Sequence, residues 1–104
     1  MEKDKYTLEY LPSFSEELND IIYYITYILK NKKAAERLLK NVYSAIEQRS
    51  ESPKSYQIYK GKVKMEYDWY RIYIGNFTIF YTVRSNIMEI THIIYSARNL
   101  DDLI

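Results

Sequence analysis

The chain has 104 residues, a length that suits one domain with its own hydrophobic core and is too short for two. It contains no cysteine and a single histidine, His92, which excludes disulfides, thiolate chemistry and a cluster of histidines around zinc. The sequence has no long apolar run, and its first ten residues, MEKDKYTLEY, lack an apolar signal-peptide core. We therefore expect a cytoplasmic protein with no membrane span, no metal and no cofactor.

The net charge of +1 conceals a strong polarity along the chain. Residues 1–29 carry a net charge of −4, residues 30–84 carry +7 and residues 85–104 carry −2. A basic middle segment is typical of a protein with one positive face, which would bind an anionic partner or an acidic protein. The alternative interpretation is a solvated surface on which the charges are scattered in three dimensions.

The first predicted elements are a strand and a long helix. Residues 6–11, YTLEYL, alternate apolar and polar side chains as a half-buried strand does, and Pro12 ends that strand. Ser13 or Ser15 is then the expected helix N-cap, with Glu16 and Glu17 in the first turn. Apolar residues at helical spacing predict an amphipathic helix over about 14–30: Phe14, Leu18, Ile21, Ile22, Ile25, Ile28 and Leu29.

A second helix and three strands complete the predicted order. Another apolar stripe predicts a helix at about 32–50, and the short connection makes the two helices an antiparallel hairpin. The segment SESPK interrupts the pattern, and residues 55–69 are expected to form a loop leading into the sheet. Strands follow at 70–74, 77–83 and 87–95, with turns at Gly75-Asn76 and at residues 84–86.

The order β-α-α-β-β-β predicts an α+β fold in a single domain over residues 1–104. Its sheet is expected to be mostly antiparallel, with the N-terminal helical hairpin packed on one face. No further element is available in the sequence to cover the other face. The side chains on that face must therefore be solvated or covered by a partner.

Two stretches near the C-terminus carry a resemblance to a known family. YRIYIGNFTIFYTV and the final HIIYSARNLDDLI resemble the RelE/ParE superfamily of toxins from bacterial type II toxin–antitoxin modules. The matching elements are Tyr70-Arg71, Gly75-Asn76, Phe80-Tyr81 and the tail from Tyr95 to Leu100. The resemblance implies a RelE/ParE-like domain that arrests growth until a cognate antitoxin from the same operon neutralises it.

Members of this superfamily have two mechanisms. Some cut messenger RNA on the ribosome, and the ParE-type members poison DNA gyrase without being nucleases. Of the positions that nuclease members use, Arg71 and Arg98 match, whereas Tyr73, Thr78 and Ile104 replace two cations and a catalytic tyrosine. These replacements favour the gyrase branch; the alternatives are a ribosome-dependent messenger RNA endonuclease and a non-toxic binding module on the same fold.

The candidate site residues follow from this comparison. For the nuclease alternative, the catalytic candidates are Arg71, Arg98, Tyr95 and Tyr81. For binding to the target or the antitoxin, the candidates are Lys60, Lys62, Lys64, Tyr73 and Arg84. Each has a structural alternative, because tyrosines are common packing residues on strands and an exposed arginine often pairs with a nearby acid. His92 is expected to be a sheet histidine with a hydrogen-bond partner.

Overall fold

The computed structural model describes residues 5–61 and 66–97 of the chain. The helical elements are α1 (Pro12–Tyr23), a π-helical turn (Tyr24–Ile28), α2 (Lys32–Arg49) and a short 3-10 turn (Pro53–Ser55). The strands are β1 (Thr7–Tyr10), β2 (Ile58–Tyr59), β3 (Trp69–Ile74), β4 (Phe77–Arg84) and β5 (Ile87–Tyr95). The fold class is α+β, as predicted.

The strands form one five-stranded sheet in the order β1-β5-β4-β3-β2. β1 lies parallel to β5 at one edge, and the other three pairings are antiparallel. Because β1 pairs with the edge of β5 that β4 does not use, the N-terminal strand and the C-terminal strand are neighbours in the sheet. The prediction of a mostly antiparallel sheet is confirmed.

The helical hairpin packs on one face of the sheet and forms the main core with it. α1 contributes Phe14, Leu18 and Ile21, and α2 contributes Val42 and Ile46. The sheet residues that meet them are Tyr70, Ile72, Phe77, Ile79, Tyr81, Met88, Ile90 and Ile93. Burial of these apolar side chains is the main favourable contribution to folding.

The predicted N-cap of α1 is wrong. Leu11 occupies the N-cap position without a side-chain hydrogen bond, and Pro12 is the first helical residue. Proline suits this position because its fixed φ matches the helix and its missing N–H would have had no helical partner. The Ser13 hydroxyl instead donates to the Thr91 carbonyl oxygen at 2.6 Å. Glu16 and Glu17 therefore lie beyond the first turn.

The C-terminal end of the first helix also differs from the prediction. The α-helical hydrogen bonds give way to a π-helical turn, and the Leu29 N–H donates to the Tyr24 carbonyl oxygen five residues earlier. A π turn holds more residues than an α turn, so the side chains after it are rotated away from the apolar stripe. Ile28 and Leu29, predicted to face the core, are 58% and 55% exposed.

The prediction of a loop over residues 55–69 is wrong in part. Ile58 and Tyr59 form the edge strand β2, which pairs with Tyr70 and Trp69 of β3. A two-residue strand has too few alternating positions to be recognised from periodicity. The predicted Gly75-Asn76 turn is confirmed, and Gly75 has a φ of 54°, a left-handed conformation that glycine favours.

Candidate functional site on the outer sheet face

The outer face of the sheet, opposite the helical hairpin, carries most of the predicted site residues. Side chains alternate along each strand, so β3 directs Trp69, Arg71 and Tyr73 to this face and β4 directs Thr78, Phe80, Thr82 and Arg84 to it. Phe80 and Ile94 are buried there beneath Tyr59 and Trp69 in a second, smaller apolar cluster. The sheet thus covers part of its outer face with its own aromatic side chains.

Arg71 lies between two tyrosine rings on this face. Its guanidinium carbon is 4.9 Å from the centre of the Tyr59 ring and 5.6 Å from that of Tyr73. Cation–π contacts of this kind hold the guanidinium in place while leaving hydrogen-bond donors for another molecule. Tyr73 is 62% exposed and lies beside the partly buried Arg71, so the ring marks an accessible part of the predicted site.

His92 and Trp69 lie on the same face and stack on each other. Their ring centres are 5.9 Å apart with an interplanar angle of 16°. His92 Nδ1 is 3.0 Å from a carboxylate oxygen of Glu17, which reaches the strand from α1. His92 thus has the hydrogen-bond partner expected of a sheet histidine.

Arg84 is at the end of β4 and is already paired. Its Nη2 donates to Glu89 Oε2 at 2.9 Å, and its guanidinium carbon is 5.6 Å from the centre of the Tyr67 ring. The hydrogen bond to Glu89 raises the pKa of Arg84. A partner that used Arg84 would have to share this cation with Glu89.

Tyr81 faces the opposite way from Arg71 and lies in the core. Its hydroxyl donates to the Pro53 carbonyl oxygen at 2.8 Å and accepts from Arg49 Nη1 at 2.9 Å. Burial raises the pKa of Tyr81, and Arg49 acts in the opposite direction. Because the side chain is fully buried, Tyr81 has no surface from which to reach a substrate, and its contacts are those of a structural residue.

Tyr95 lies at the end of β5, and β4 separates this strand from the one that carries Arg71. Its ring packs against Phe77, with ring centres 4.7 Å apart. Together with Glu17, Asp20 and Tyr24 it also lines a cavity of about 440 Å³ between α1 and β5. The described catalytic candidates Arg71, Tyr81 and Tyr95 therefore do not converge on one site.

The two neutral replacements at nuclease positions are neighbours. Tyr73 of β3 and Thr78 of β4 are directly opposite each other in the antiparallel register. Thr78 is buried, and its hydroxyl is 2.9 Å from the Ser96 hydroxyl oxygen. An aromatic ring and a buried hydroxyl thus occupy the part of the sheet where nuclease relatives carry two cations.

The remaining predicted residues are distributed as follows. Lys60 is exposed and directly follows the edge strand β2. Arg98, Lys62, Lys64 and Ile104 lie outside the described residues.

Sequence reasoning missed Arg49, the last residue of α2. Its Nη1 donates to the Arg71 carbonyl oxygen at 2.9 Å as well as to Tyr81, and its guanidinium carbon is 3.4 Å from the centre of the Tyr56 ring. The available signal was a basic residue in the last helical turn, where it interacts favourably with the helix dipole. Arg49 links the hairpin to the strand that carries Arg71.

Within residues 5–61 and 66–97, no three His, Cys, Asp or Glu side chains are grouped so that they could hold a metal ion. No helix in these ranges is long and apolar enough to cross a membrane.

Comparison with known proteins gives the family. The family model described as "ParE toxin of type II toxin-antitoxin system, parDE" matches residues 8–100. The chain belongs to the ParE toxin family. Its fold is similar to that of a solved chain from the chromosomal ParDE TA system of P. aeruginosa, with a TM-score of 0.68 and 12% sequence identity. The match covers 88% of this chain and 96% of that one, and no curated protein matches by sequence.

Membership of the ParE toxin family confirms the predicted RelE/ParE resemblance. This ParE-family chain is the toxin component of a type II toxin–antitoxin system, and its partner is a cognate antitoxin. The fold that presents Arg71 and Tyr73 is accordingly the scaffold of a toxin.

Proposed function

We propose that this ParE-family toxin acts in the cytoplasm as one domain over residues 1–104 and arrests growth by inhibiting DNA gyrase until its antitoxin neutralises it. The observation that carries the proposal is the Tyr73–Thr78 pair on the outer sheet face, next to the turn between β3 and β4. It replaces, with neutral side chains, the cations that an RNA-cleaving relative needs at these two positions.

RNA cleavage by a protein without a metal requires a base for the 2′-hydroxyl, a cation for the phosphorane and an acid for the leaving oxygen. Among the matched positions that the structure describes, Arg71 alone keeps a cation. The buried hydroxyl of Tyr81 bonds to Pro53 and Arg49, and Tyr95 is two strands away from Arg71. This arrangement supports action through binding to a protein rather than through cleavage of RNA.

The outer face has the side chains of a protein-binding surface. Arginine and tyrosine are among the residues that contribute most to the free energy of protein association, and here the exposed Tyr73 lies against the partly buried Arg71. Lys60, which follows β2, and Arg84, at the end of β4, lie on either side of β3 near its N-terminal end. We propose that these four residues contact the target or the antitoxin.

A supercoiling assay with purified DNA gyrase tests the proposal. We expect toxin at micromolar concentration to inhibit supercoiling and Arg71→Ala to weaken that inhibition with an unchanged melting temperature. Messenger RNA in a ribosomal translation mixture containing the toxin should remain intact. Cleaved transcripts without gyrase inhibition would identify the endonuclease alternative, and harmless expression of the chain alone would identify a non-toxic binding module.

A further inference from the structure

The turn of the helical hairpin exposes a compact group of apolar side chains. We call Tyr23, Tyr24, Tyr27, Ile28 and Leu29 the hairpin tip; all five are exposed, and the rings of Tyr23 and Tyr27 are 4.9 Å apart. Elsewhere among residues 5–61 and 66–97, every large exposed hydrophobic side chain is a tyrosine. The hairpin tip is thus the one place in these ranges where large aliphatic side chains are exposed to this extent.

The exposure of these side chains results from the backbone. A continuous α-helix would place Ile28 and Leu29 on the same stripe as Ile21 and Ile25, facing the core. The π-helical turn Tyr24–Ile28 rotates them outward, and Lys30, with a φ of 54°, then reverses the chain. The fold presents these aliphatic groups to solvent instead of burying them.

The surroundings of the hairpin tip indicate the charge of its partner. Lys30, Lys32 and Lys33 are exposed and follow the apolar group directly in the chain. A partner that contacts both features needs an apolar patch with acidic residues beside it. Two copies of this chain would bring the lysines of both molecules together, which disfavours self-association through the tip.

The shape of the hairpin tip separates its partner from the antitoxin. The turn between two helices is a convex end, and it fits a concave surface on a larger protein. An antitoxin segment that wraps the toxin needs a groove or a strand edge. A suitable groove lies beside the tip, in the cavity between α1 and β5, which is lined by Glu17, Asp20 and Ile93 and borders the tip only at Tyr24.

We propose that the hairpin tip inserts into an acidic, apolar-lined concave surface of DNA gyrase and is the main anchor of this toxin on its target. This inference rests on the proposed function and adds a second surface to it, on the hairpin rather than on the sheet. Apolar and aromatic side chains at the centre of an interface commonly provide most of the binding free energy. The lysines accelerate association with an acidic surface and make it dependent on salt.

The test uses the double variant Ile28→Ser/Leu29→Ser in the supercoiling assay. Since both side chains are more than half exposed, their replacement leaves the melting temperature unchanged. We expect the toxin concentration for half-inhibition to rise at least about 10-fold, as loss of a central anchor does. The control is Tyr43→Ser, which removes another exposed ring from the same hairpin away from the tip and should leave the inhibitory concentration within about 2-fold.

The charge is tested separately with Lys32→Glu/Lys33→Glu. This variant should inhibit gyrase more weakly than the wild type, and the difference between them should shrink as salt rises from about 50 to 200 mM, because salt screens the attraction.

The outcomes distinguish the two proposals. Wild-type toxin that does not inhibit gyrase overturns both the proposed function and the tip contact. Inhibition by the wild type and by Ile28→Ser/Leu29→Ser at equal concentrations overturns the tip contact alone. Three further findings would assign the tip to another occupant and also overturn it: loss of antitoxin binding in this variant, a wild-type dimer that the variant converts to monomer, or wild-type binding to anionic lipid vesicles that the variant abolishes.

Discussion

At the scale of single residues, the partly buried Arg49 and the buried Tyr81 form a polar network beside the main apolar core. One guanidinium donates to the Arg71 carbonyl and to the Tyr81 hydroxyl, and that hydroxyl donates to Pro53. The ring of Tyr81 stacks on Tyr70 with 5.2 Å between their centres. The network joins α2, the 3-10 turn and two strands, so it positions β3 and with it Arg71.

Tyr81→Phe should destabilise the protein without changing its fold. The substitution keeps the ring and removes the hydroxyl, which leaves the Pro53 carbonyl oxygen and one Arg49 N–H without this partner. An unmade buried hydrogen bond of this kind costs about 1–3 kcal/mol. We expect the free energy of unfolding in urea to fall by that amount. Tyr73→Phe, which removes an exposed hydroxyl, should change it by less than about 0.5 kcal/mol.

Stability should also fall in alkaline solution, because burial raises the pKa of Tyr70, Tyr81 and Tyr10. Above pH of about 10, where an exposed tyrosine loses its proton, the unfolded chain releases protons that the folded chain retains. The contribution of these tyrosines to the free energy of unfolding is therefore complete below that pH. It is lost as the pH rises through their raised pKa values in the folded state. Urea unfolding at pH 8 to 11 measures this decline in the free energy of unfolding. In Tyr81→Phe the decline with pH should be shallower. An equal slope in the variant and the wild type would contradict the assignment of part of the decline to Tyr81.

At the scale of elements, α1 protects the half of β5 that β1 leaves open. β1 pairs with residues 87–90 of β5, and past that point the exposed strand edge would otherwise invite another strand. Ser13 bonds to the Thr91 carbonyl oxygen, and the Glu17 carboxylate accepts from the Ile93 N–H at 3.1 Å. Side chains of α1 thus take over hydrogen bonds that a strand would make.

Glu17→Ala should loosen this end of β5. The substitution removes the acceptor for the Ile93 N–H and the partner of His92, and we expect a loss of about 1–3 kcal/mol in the free energy of unfolding. Hydrogen exchange of the Ile93 amide should become faster. Glu17→Gln retains an acceptor oxygen and should lose less than half as much. Glu16→Ala, one residue earlier on an exposed position, is the control, and an equal loss there would refute a specific role for Glu17.

The regular elements of the fold could be predicted, because their patterns are local. α2 and the three C-terminal strands lie where apolar periodicity and the Gly75-Asn76 turn placed them. The π turn could not be predicted, since Ile28 and Leu29 fit an unbroken helical stripe equally well. The strand β2 depends on pairing with Trp69 and Tyr70, a tertiary contact that leaves no trace in two residues.

The candidate site was less predictable than the fold, for the same reason. The sequence identified Arg71 and Tyr73 because their neighbours resemble a known family. It did not distinguish the buried Tyr81 from the exposed Tyr73, since both are strand tyrosines. They differ only because the helical hairpin covers the sheet face of Tyr81 and not that of Tyr73. Arg49 was missed because its partners, Tyr56, Arg71 and Tyr81, lie up to 32 residues away from it in sequence and meet it only in the folded chain.

At the scale of the whole molecule, the toxin presents distinct surfaces, two of which meet at Tyr24. The outer sheet face carries Arg71 and Tyr73, the hairpin tip carries Ile28 and Leu29, and the cavity between α1 and β5 carries Glu17 and Asp20. The first two adjoin basic residues and the third is acidic. A single antitoxin chain that covers more than one of these surfaces would both neutralise the toxin and stabilise its fold.

The cognate antitoxin should therefore raise the melting temperature of the toxin in a way that depends on antitoxin concentration. A ligand that binds only the folded state adds about 2.7 kcal/mol of stability at a free concentration of 100 times its Kd. For a domain of this size, each kcal/mol raises the melting temperature by roughly 4–8 °C, so we expect an increase of about 10–20 °C. Thermal unfolding followed through the toxin's single tryptophan, Trp69, measures it.

The dependence of the melting temperature on excess antitoxin distinguishes stabilisation by binding from a mixture of two proteins that do not interact. By mass action, each further tenfold excess of free antitoxin adds about 1.4 kcal/mol, so the melting temperature keeps rising after every toxin molecule is bound. Ile28→Ser/Leu29→Ser should follow the same curve as the wild type, because the tip is assigned to gyrase and not to the antitoxin. A melting temperature that stops rising at equal concentrations of the two proteins would contradict reversible binding to the folded toxin alone.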